Sequence, residues 1–297
     1  MKLQKAERHQ VKLRIGLSGP SGFGKTYSAL LLAFGITNDW SKIALIDTEN
    51  KSASLYSHLG DFNVLSLEEP FSPERYIKAI QLCESSDIEI IIIDSISHEW
   101  QGKSGCLEIH EQLGGRFQDW AKVTPRHNAF IDAIIKSKCH IITTSRRKVD
   151  YSLDKDSSGK TKVMKLGTKE ITREGFEYEL TVSFEFLNDR HLVSASKDRT
   201  GLFTGIPEFI INSTTGKKLI NWCNQGISID KITEEINACA TPDALKEVYG
   251  KYPNLSTELY PVVMARKEVL DNLSAQLIHD EEIIQNLNPQ ENEFSIK

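Results

Sequence analysis

A glycine-rich octapeptide near the start of the sequence contains residue types that bind phosphate. Gly19–Thr26 reads GPSGFGKT and fits the phosphate-loop pattern G-x-x-x-x-G-K-[ST]. Glycines let the backbone N–H groups curl around a phosphate, and the helix that follows points the positive end of its dipole at the same place. The pattern predicts that Lys25 reaches the terminal phosphates of a nucleoside triphosphate and that Thr26 ligates Mg²⁺. The predicted nucleotide contacts are Gly19, Pro20, Ser21, Gly22, Phe23, Gly24, Lys25, Thr26 and Tyr27.

Two apolar segments further along the chain end in carboxylates, which suits the metal side of the same site. Ile90–Asp94 has four isoleucines before its aspartate, and Ile43–Glu49 ends in two acids. We expect Asp94 to hold the magnesium shell, through water or through the loop threonine. Hydrolysis also needs a base that orients water against the terminal phosphate, and the second segment offers Asp47 and Glu49.

The segments that must position these residues alternate between strand and helix patterns. Ile90–Ile93 is apolar on both faces, as a central buried strand requires. The alternation predicts an α/β fold whose mainly parallel sheet has helices on both faces. The predicted strands are Leu13–Ser18, Ile43–Asp47, Asn63–Leu65, Ile88–Asp94 and His140–Ser145, and the predicted helices are Lys25–Gly35, Pro73–Glu84 and Thr124–Ser137.

The pattern changes after Asp150. Lys155–Lys169 is polar and contains a Ser-Ser-Gly run, which predicts a flexible loop. Phe176–Leu187 alternates and is followed, through an Asn-Asp turn, by His191–Ser196. This pair predicts a β-hairpin that extends one edge of the sheet.

The last part of the sequence is helical in composition. Predicted helices cover Lys231–Cys239, a segment that begins at Thr241 with a capping residue and a proline, and Leu259–Leu273. We therefore predict three parts: an ATPase core over residues 1–227, a helical segment over 228–279, and an acidic, disordered tail over 280–297.

Composition limits the class of protein. The chain has 297 residues and a net charge of −5. It has no apolar run of membrane-spanning length, and because Met1–Gln10 is polar we expect no secretion signal. Five scattered cysteines without a C-x-x-C pair, and eight histidines without a ligand cluster, favour a reducing cytoplasm over disulfides or a zinc site.

The charge is unevenly distributed. Between Lys136 and Arg173 there are eleven Lys and Arg against four Asp and Glu, a local charge of +7. A basic stretch on an acidic body is typical of a surface that binds a polyanion, but a solvated surface loop has the same composition. Charge alone leaves both interpretations open.

The order of these features resembles the RecA-like ATPases. The resemblance implies that Glu49 orients the attacking water. It also implies that Lys197 and Arg199 are fingers for the γ-phosphate of a neighbouring subunit, since positions i and i+2 of a strand face the same side. Two surface cations on an edge strand are the alternative. In this family a polar γ-phosphate sensor ends the strand that here is His140–Ser145, so Thr144 is the candidate sensor.

More specifically, the chain is similar to phage-type RecA-core ATPases, AAA-family nucleotide-binding proteins associated with single-strand annealing and recombination. Residues 11–210 carry the resemblance. Its segments are DSISHEW at 94–100, FQDW at 117–120, SRRK at 145–148 and KDRTG at 197–201.

RecA-like proteins bind single-stranded DNA through two loops, and the resemblance implies such loops at Glu99–Lys122 and Arg146–Arg173. Three aromatic residues of the first interval, Trp100, Phe117 and Trp120, either stack on bases or fill a core. The predicted DNA contacts are Arg116, Lys122, Arg146, Arg147, Lys148, Lys160, Lys162 and Lys165.

Together these features predict a Mg²⁺-dependent ATPase with a RecA-like core that binds single-stranded DNA. Its expected role is annealing or strand pairing in phage or prophage recombination, in the cytoplasm of a bacterial host. The expected cofactors are ATP and Mg²⁺. The expected partners are single-stranded DNA, further copies of the chain in a ring or short filament, and a recombination or replication protein, with no membrane. A hexameric-helicase-like motor and an ATP-gated adaptor that docks a partner through residues 228–297 are the alternatives.

Overall fold

The computed structural model describes residues 11–155, 161–224, 229–252 and 255–287. Contacts divide the chain into two compact units, and the division falls between Cys223 and Asn224. The first unit contains the sheet and the second is helical. The limits at 227 and 279 that composition suggests stay a prediction.

A single sheet organises the first unit. Among the described residues, nine strands take part in it: β1 (Arg14–Gly19), β2 (Ile43–Asp47), β3 (Asn63–Ser66), β4 (Ile90–Asp94), β5 (His140–Lys155), β6 (Thr161–Glu170), β7 (Val182–Phe186), β8 (Leu192–Asp198) and β9 (Phe209–Ile210). Their order in the sheet is β3-β2-β4-β5-β1-β7-β8-β9, with β6 paired to β5. Pairing is parallel from β3 across to β7 and antiparallel within β7-β8-β9 and β5-β6.

The fold class predicted from the sequence, an α/β core with a mainly parallel sheet, is confirmed. The β7-β8 hairpin is also present, although its first strand begins at Val182. Phe176–Glu179 forms a 3₁₀ turn before it.

Helices cover both faces of the sheet, and the isoleucines of β4 show why. Ile90 and Ile92 pack into the apolar cluster that contains helix α1 (Lys25–Thr37). Ile91 and Ile93 pack into the cluster with helices α2 (Pro73–Glu84) and α5 (Trp120–Lys136). A strand buried on both faces has no polar alternation, because each face has its own apolar partner. The helices of this unit are α1 (Lys25–Thr37), α2 (Pro73–Glu84), α3 (Ser97–Gln101), α4 (Cys106–Gln112), α5 (Trp120–Lys136) and α6 (Ser213–Asn224).

The segment after the fifth strand differs from the prediction. β5 continues to Lys155, and β6 returns beside it, so most of the flexible loop expected at Lys155–Lys169 is a β-ribbon. The register shifts between Asp150 and Tyr151. Polar composition suggested a loop, but a two-stranded ribbon needs no buried face to pair its backbone groups.

The interval Glu99–Lys122, expected to be a loop, is largely helical. Gly102 is the C-cap residue of α3 and Gly105 is the N-cap residue of α4. A 3₁₀ turn at Phe117–Asp119 then leads into α5. The segment between these two glycines therefore separates two short helices.

The second unit consists of α7 (Ile229–Ala238), α8 (Pro242–Gly250) and α9 (Ser256–Leu287). Thr241 caps α8 by accepting a hydrogen bond from the Ala244 N–H, as predicted. The helix α9 extends to Leu287, past residue 280, where the predicted tail begins; residues 288–297 of that tail lie outside the described part. In the described part of the chain, no helix combines the length and apolarity needed to cross a membrane.

Candidate functional site

The phosphate loop connects the end of β1 to the start of α1. Gly22 and Gly24 have φ angles of 81° and 89°, which L residues with side chains rarely adopt, so glycine suits both positions. Lys25 begins α1, and its Nζ donates to the backbone oxygens of Gly19 (3.0 Å) and Pro20 (2.8 Å). Burial lowers the pKa of Lys25, whereas the nearby Asp94 raises it. The ammonium is thus held within the curve of the loop.

Two hydroxyls converge on one buried carboxylate at the mouth of the loop. Thr26 Oγ1 donates to Asp94 Oδ2 at 2.6 Å, and Thr144 Oγ1 donates to Asp94 Oδ1 at 2.5 Å. Burial raises the pKa of Asp94, and the two hydroxyl hydrogen bonds oppose this rise. Hydroxyl and carboxylate oxygens are the hard donors that Mg²⁺ prefers, so the residues present fit that ion.

Glu49 faces this site and Asp47 does not. The Asp47 carboxylate accepts hydrogen bonds from the backbone N–H groups of Glu49 (2.7 Å) and Ala53 (2.8 Å), so it holds the turn after β2. Glu49 instead pairs with Arg146, with Oε1 and Nη2 2.8 Å apart. Of the two acids, the geometry favours Glu49 as the one available to a nucleotide.

These residues line a cavity of about 450 Å³, which we call the phosphate-loop cavity. It also has residues that the motifs do not indicate. Tyr56 lies in its wall, its ring centroid 6.1 Å from that of Tyr27, and burial raises its pKa. His191 Nδ1 donates to the Phe23 carbonyl oxygen at 2.7 Å. The lining is Ser21, Gly22, Gly24, Lys25, Thr26, Tyr27, Glu49, Ser52, Tyr56, Asp94, Arg146 and His191.

Lys197 and Arg199 lie side by side at the end of β8. Lys197 Nζ donates to the backbone oxygens of Glu177 (2.6 Å) and Tyr178 (2.7 Å), and Arg199 Nη2 donates to the same Tyr178 oxygen at 2.5 Å. Neither side chain lines the phosphate-loop cavity of its own chain. Their predicted role toward a neighbouring subunit stays a prediction.

A second cavity, of about 1030 Å³, separates the α3–α5 helices from β5 and β6, and we call it the aromatic–basic groove. Trp100 and Trp120 stack in one wall, with ring centroids 5.7 Å apart, and Phe117 is 91% exposed. The other wall has Lys148 and Arg173. The remaining lining residues are Gln101, Leu107, Gln118, Ala121, Thr124, Pro125, Lys169, Glu170, Ile171, Thr172 and Glu174.

Of the basic residues predicted to contact DNA, those whose side chains the structure describes do not form one surface. Arg146 lines the phosphate-loop cavity, and Arg147 pairs with Glu185 at 3.0 Å. Arg116 pairs with Asp119 at 3.2 Å. Of the predicted set, Lys148 lines the groove and Lys122 is an exposed residue of α5. Lys160 lies outside the described residues. Lys162 and Lys165 lie on the first part of β6, whose side chains the structure does not describe.

The fold and the loop together define a P-loop nucleoside-triphosphatase. A family model described as an AAA domain matches residues 11–201, and the chain belongs to this family. Among solved structures, it is similar to a KaiC-like protein from the hyperthermophilic archaeon Pyrococcus horikoshii, at 15% identity and a TM-score of 0.37, over 63% of this chain and 79% of that chain. A search of curated proteins found no match.

Proposed function

We propose that the protein is a Mg²⁺-dependent ATPase that binds single-stranded DNA and acts in phage or prophage recombination, by annealing or pairing strands. The observation that carries the proposal is that one strand contributes to both cavities. Arg146 of β5 lines the phosphate-loop cavity, and Lys148, two residues further, lines the aromatic–basic groove. The annealing role itself rests on the resemblance of the sequence motifs.

The phosphate-loop cavity has the parts that triphosphate hydrolysis needs. Backbone N–H groups of the loop and Lys25 would bind the phosphates, and Thr26 and Asp94 would hold the cation. Bound Mg²⁺ would neutralise the charge that develops on the phosphate oxygens. Glu49 orients water, and its ion pair with Arg146 fixes the carboxylate in the cavity.

The groove has the parts that a single strand needs. Aromatic faces accept any base by stacking, and cations opposite them attract the phosphates. Phe117 is free to stack because it is almost fully exposed. Trp100 and Trp120 are partly buried, so they form a fixed part of the groove wall on which a base can stack.

ATP turnover with and without single-stranded DNA tests the proposal. We expect turnover that requires Mg²⁺, that DNA stimulates, and that Lys25→Ala abolishes. If single-stranded DNA does not change ATP turnover and a partner protein binds without DNA, the ATP-gated adaptor would be favoured. ATP-driven strand separation would favour the helicase-like motor.

Charge reversal in the groove tests the DNA assignment. Lys148→Glu should weaken binding of an oligonucleotide and reduce the salt dependence of that binding. The slope of log K against log salt is negative, and each lost phosphate contact makes it shallower by about 1. Phe117→Ala should remove about 1–3 kcal/mol of stacking and leave the salt slope unchanged. Lys217→Glu, at an exposed position of α6, is the matched control. Equal binding by all three variants and the wild type would place DNA elsewhere.

We further propose that Lys197 and Arg199 act on the nucleotide of a neighbouring copy, because both lie away from their own cavity. Subunit mixing tests this. Lys25→Ala and Arg199→Ala should each be inactive alone, and a mixture should recover activity at interfaces that combine an intact loop with an intact arginine. A mixture as inactive as its components would refute action between subunits.

A further inference from the structure

Three residues with metal-binding side chains meet beneath the aromatic wall of the groove. Glu99 of α3, Cys106 of α4 and His127 of α5 are 1%, 0% and 3% exposed. Cys106 Sγ lies 3.1 Å from Glu99 Oε1, and His127 Nδ1 lies 3.1 Å from both carboxylate oxygens of Glu99. One ligand atom from each residue lies within 4.8 Å of the other two.

We propose that Glu99, Cys106 and His127 form a binding site for a divalent cation of the zinc class. Thiolate sulfur, imidazole nitrogen and carboxylate oxygen are the donors that Zn²⁺ takes in proteins. A tetrahedral ion with bonds of about 2.0–2.3 Å needs its ligand atoms somewhat more than 3 Å apart, so small side-chain movements complete the site. Both carboxylate oxygens of Glu99 face His127, so either oxygen can supply the third protein donor.

The charge balance of the cluster suits this ion. Binding replaces the proton of the Cys106 thiol, which leaves to solvent, and a Zn–S bond forms. One thiolate and one carboxylate then neutralise the two positive charges, and the buried site has no net charge. A monovalent ion held by the same thiolate and carboxylate would leave one negative charge without compensation in the interior.

The site would join the three helices that form one wall of the groove. Trp100 is adjacent to Glu99 and meets the His127 ring edge-on, with centroids 5.5 Å apart. Cys106 also packs with Val123 and with Trp120. A bound ion therefore holds the aromatic wall in place, independently of whether DNA or another ligand occupies the groove.

The sequence did not reveal this cluster, and its scattered cysteines and histidines argued against a zinc site. Zinc ligands are recognised in sequence by close pairs such as C-x-x-C. Here the ligands come from three helices, at separations of seven and 21 residues. Folding alone brings them together.

Metal analysis of the full-length, untagged protein, purified without chelators, tests the proposal. We expect one zinc per chain by mass spectrometry. After chelation, Co²⁺ should restore one ion per chain and produce a thiolate-to-metal charge-transfer band. Cys106→Ser keeps a hydrogen-bond donor to Glu99 but should lose the ion and the band. Cys139→Ser changes another buried cysteine, one that donates to the Ile88 carbonyl oxygen, and should keep both.

Circular dichroism separates loss of metal from loss of fold, since Cys106→Ser should retain the wild-type helix content. Substoichiometric zinc in the folded wild type, with no cobalt band on reconstitution, would overturn the proposal and leave a hydrogen-bonded Glu–His pair. A band that Cys106→Ser and the wild type share would overturn it as well.

Discussion

A buried histidine at the start of β5 makes the stability of the first unit depend on pH. His140 Nδ1 accepts a hydrogen bond from the Leu13 N–H at 3.0 Å, so the folded protein holds the ring neutral. Burial is the main cause that lowers the pKa of His140 to about 3, and the charges of Lys12 and Arg14 contribute to the same decrease. His140→Asn keeps an acceptor for the Leu13 N–H and removes the titrating group.

The sign follows from which state binds the proton first. In the unfolded chain this histidine has a pKa near 6.5, so the unfolded state takes up a proton that the folded state refuses until about pH 3. The contribution to the free energy of unfolding is present above pH 6.5 and is lost as the pH falls. Between pH 6.5 and about pH 3, each unit of decrease in pH lowers the free energy of unfolding by about 1.4 kcal/mol. The change from pH 7 to pH 5 therefore lowers it by about 2 kcal/mol.

Urea unfolding followed by tryptophan fluorescence measures this change. All four tryptophans precede Asn224, so the signal reports on the first unit. The difference in stability between pH 7 and pH 5 should be about 2 kcal/mol larger in the wild type than in His140→Asn. His58→Asn, the same change at an exposed position, should keep the wild-type difference. Equal pH dependence in the wild type and His140→Asn would refute the neutral buried ring.

Three further substitutions test the site and its packing. Thr144→Val removes a hydrogen bond to the Asp94 carboxylate and should cost about 1.5–3 kcal/mol in urea unfolding, whereas Thr143→Val, which loses one long hydrogen bond to a backbone oxygen, should cost less. Tyr56→Ala should weaken the binding of ATP but not of inorganic tripolyphosphate in calorimetry, since the aromatic ring in the cavity wall can stack on a base, which tripolyphosphate lacks. Gly35→Ala should destabilise by about 1–3 kcal/mol despite better helix propensity, because the new Cβ would lie 2.0 Å from a backbone oxygen at the start of α6. A neutral Gly35→Ala would show that α1 and α6 separate easily.

Much of the sheet could be predicted from the sequence because its strands are buried on both faces. Ile43–Asp47 has the predicted limits, and so does the helix Pro73–Glu84, which begins with a serine and a proline. Continuous apolar runs between turn residues have few other interpretations. The polar ribbon of β5 and β6 has no continuous apolar run, because pairing between its two strands satisfies the backbone groups without a buried face. Its sequence pattern is therefore that of a loop.

The candidate site was predictable where a motif fixes local geometry and not where distant segments meet. The phosphate loop lies where the strand–turn–helix pattern requires. The resemblance to RecA-like proteins and the basic character of Arg146–Arg173 predict that Arg146 contacts DNA, but in the structure this residue pairs with Glu49 in the cavity. His191 and Tyr56 reach the cavity from a hairpin turn and a 3₁₀ segment, and no spacing relates them to the loop.

The short helix α3 connects the aromatic–basic groove with the end of β2. Successive helical residues point about 100° apart, so three neighbours on α3 reach three different surroundings. His98 Nδ1 lies 2.8 Å from the hydroxyl of Thr48, the residue before Glu49. Glu99 enters the buried cluster with Cys106 and His127, and Trp100 lines the groove. While α3 stays helical, a ligand that shifts the tryptophan must also move the histidine against the end of β2. Stimulation of ATP turnover by DNA is the expected consequence, and turnover that ignores DNA would mean that this connection transmits nothing.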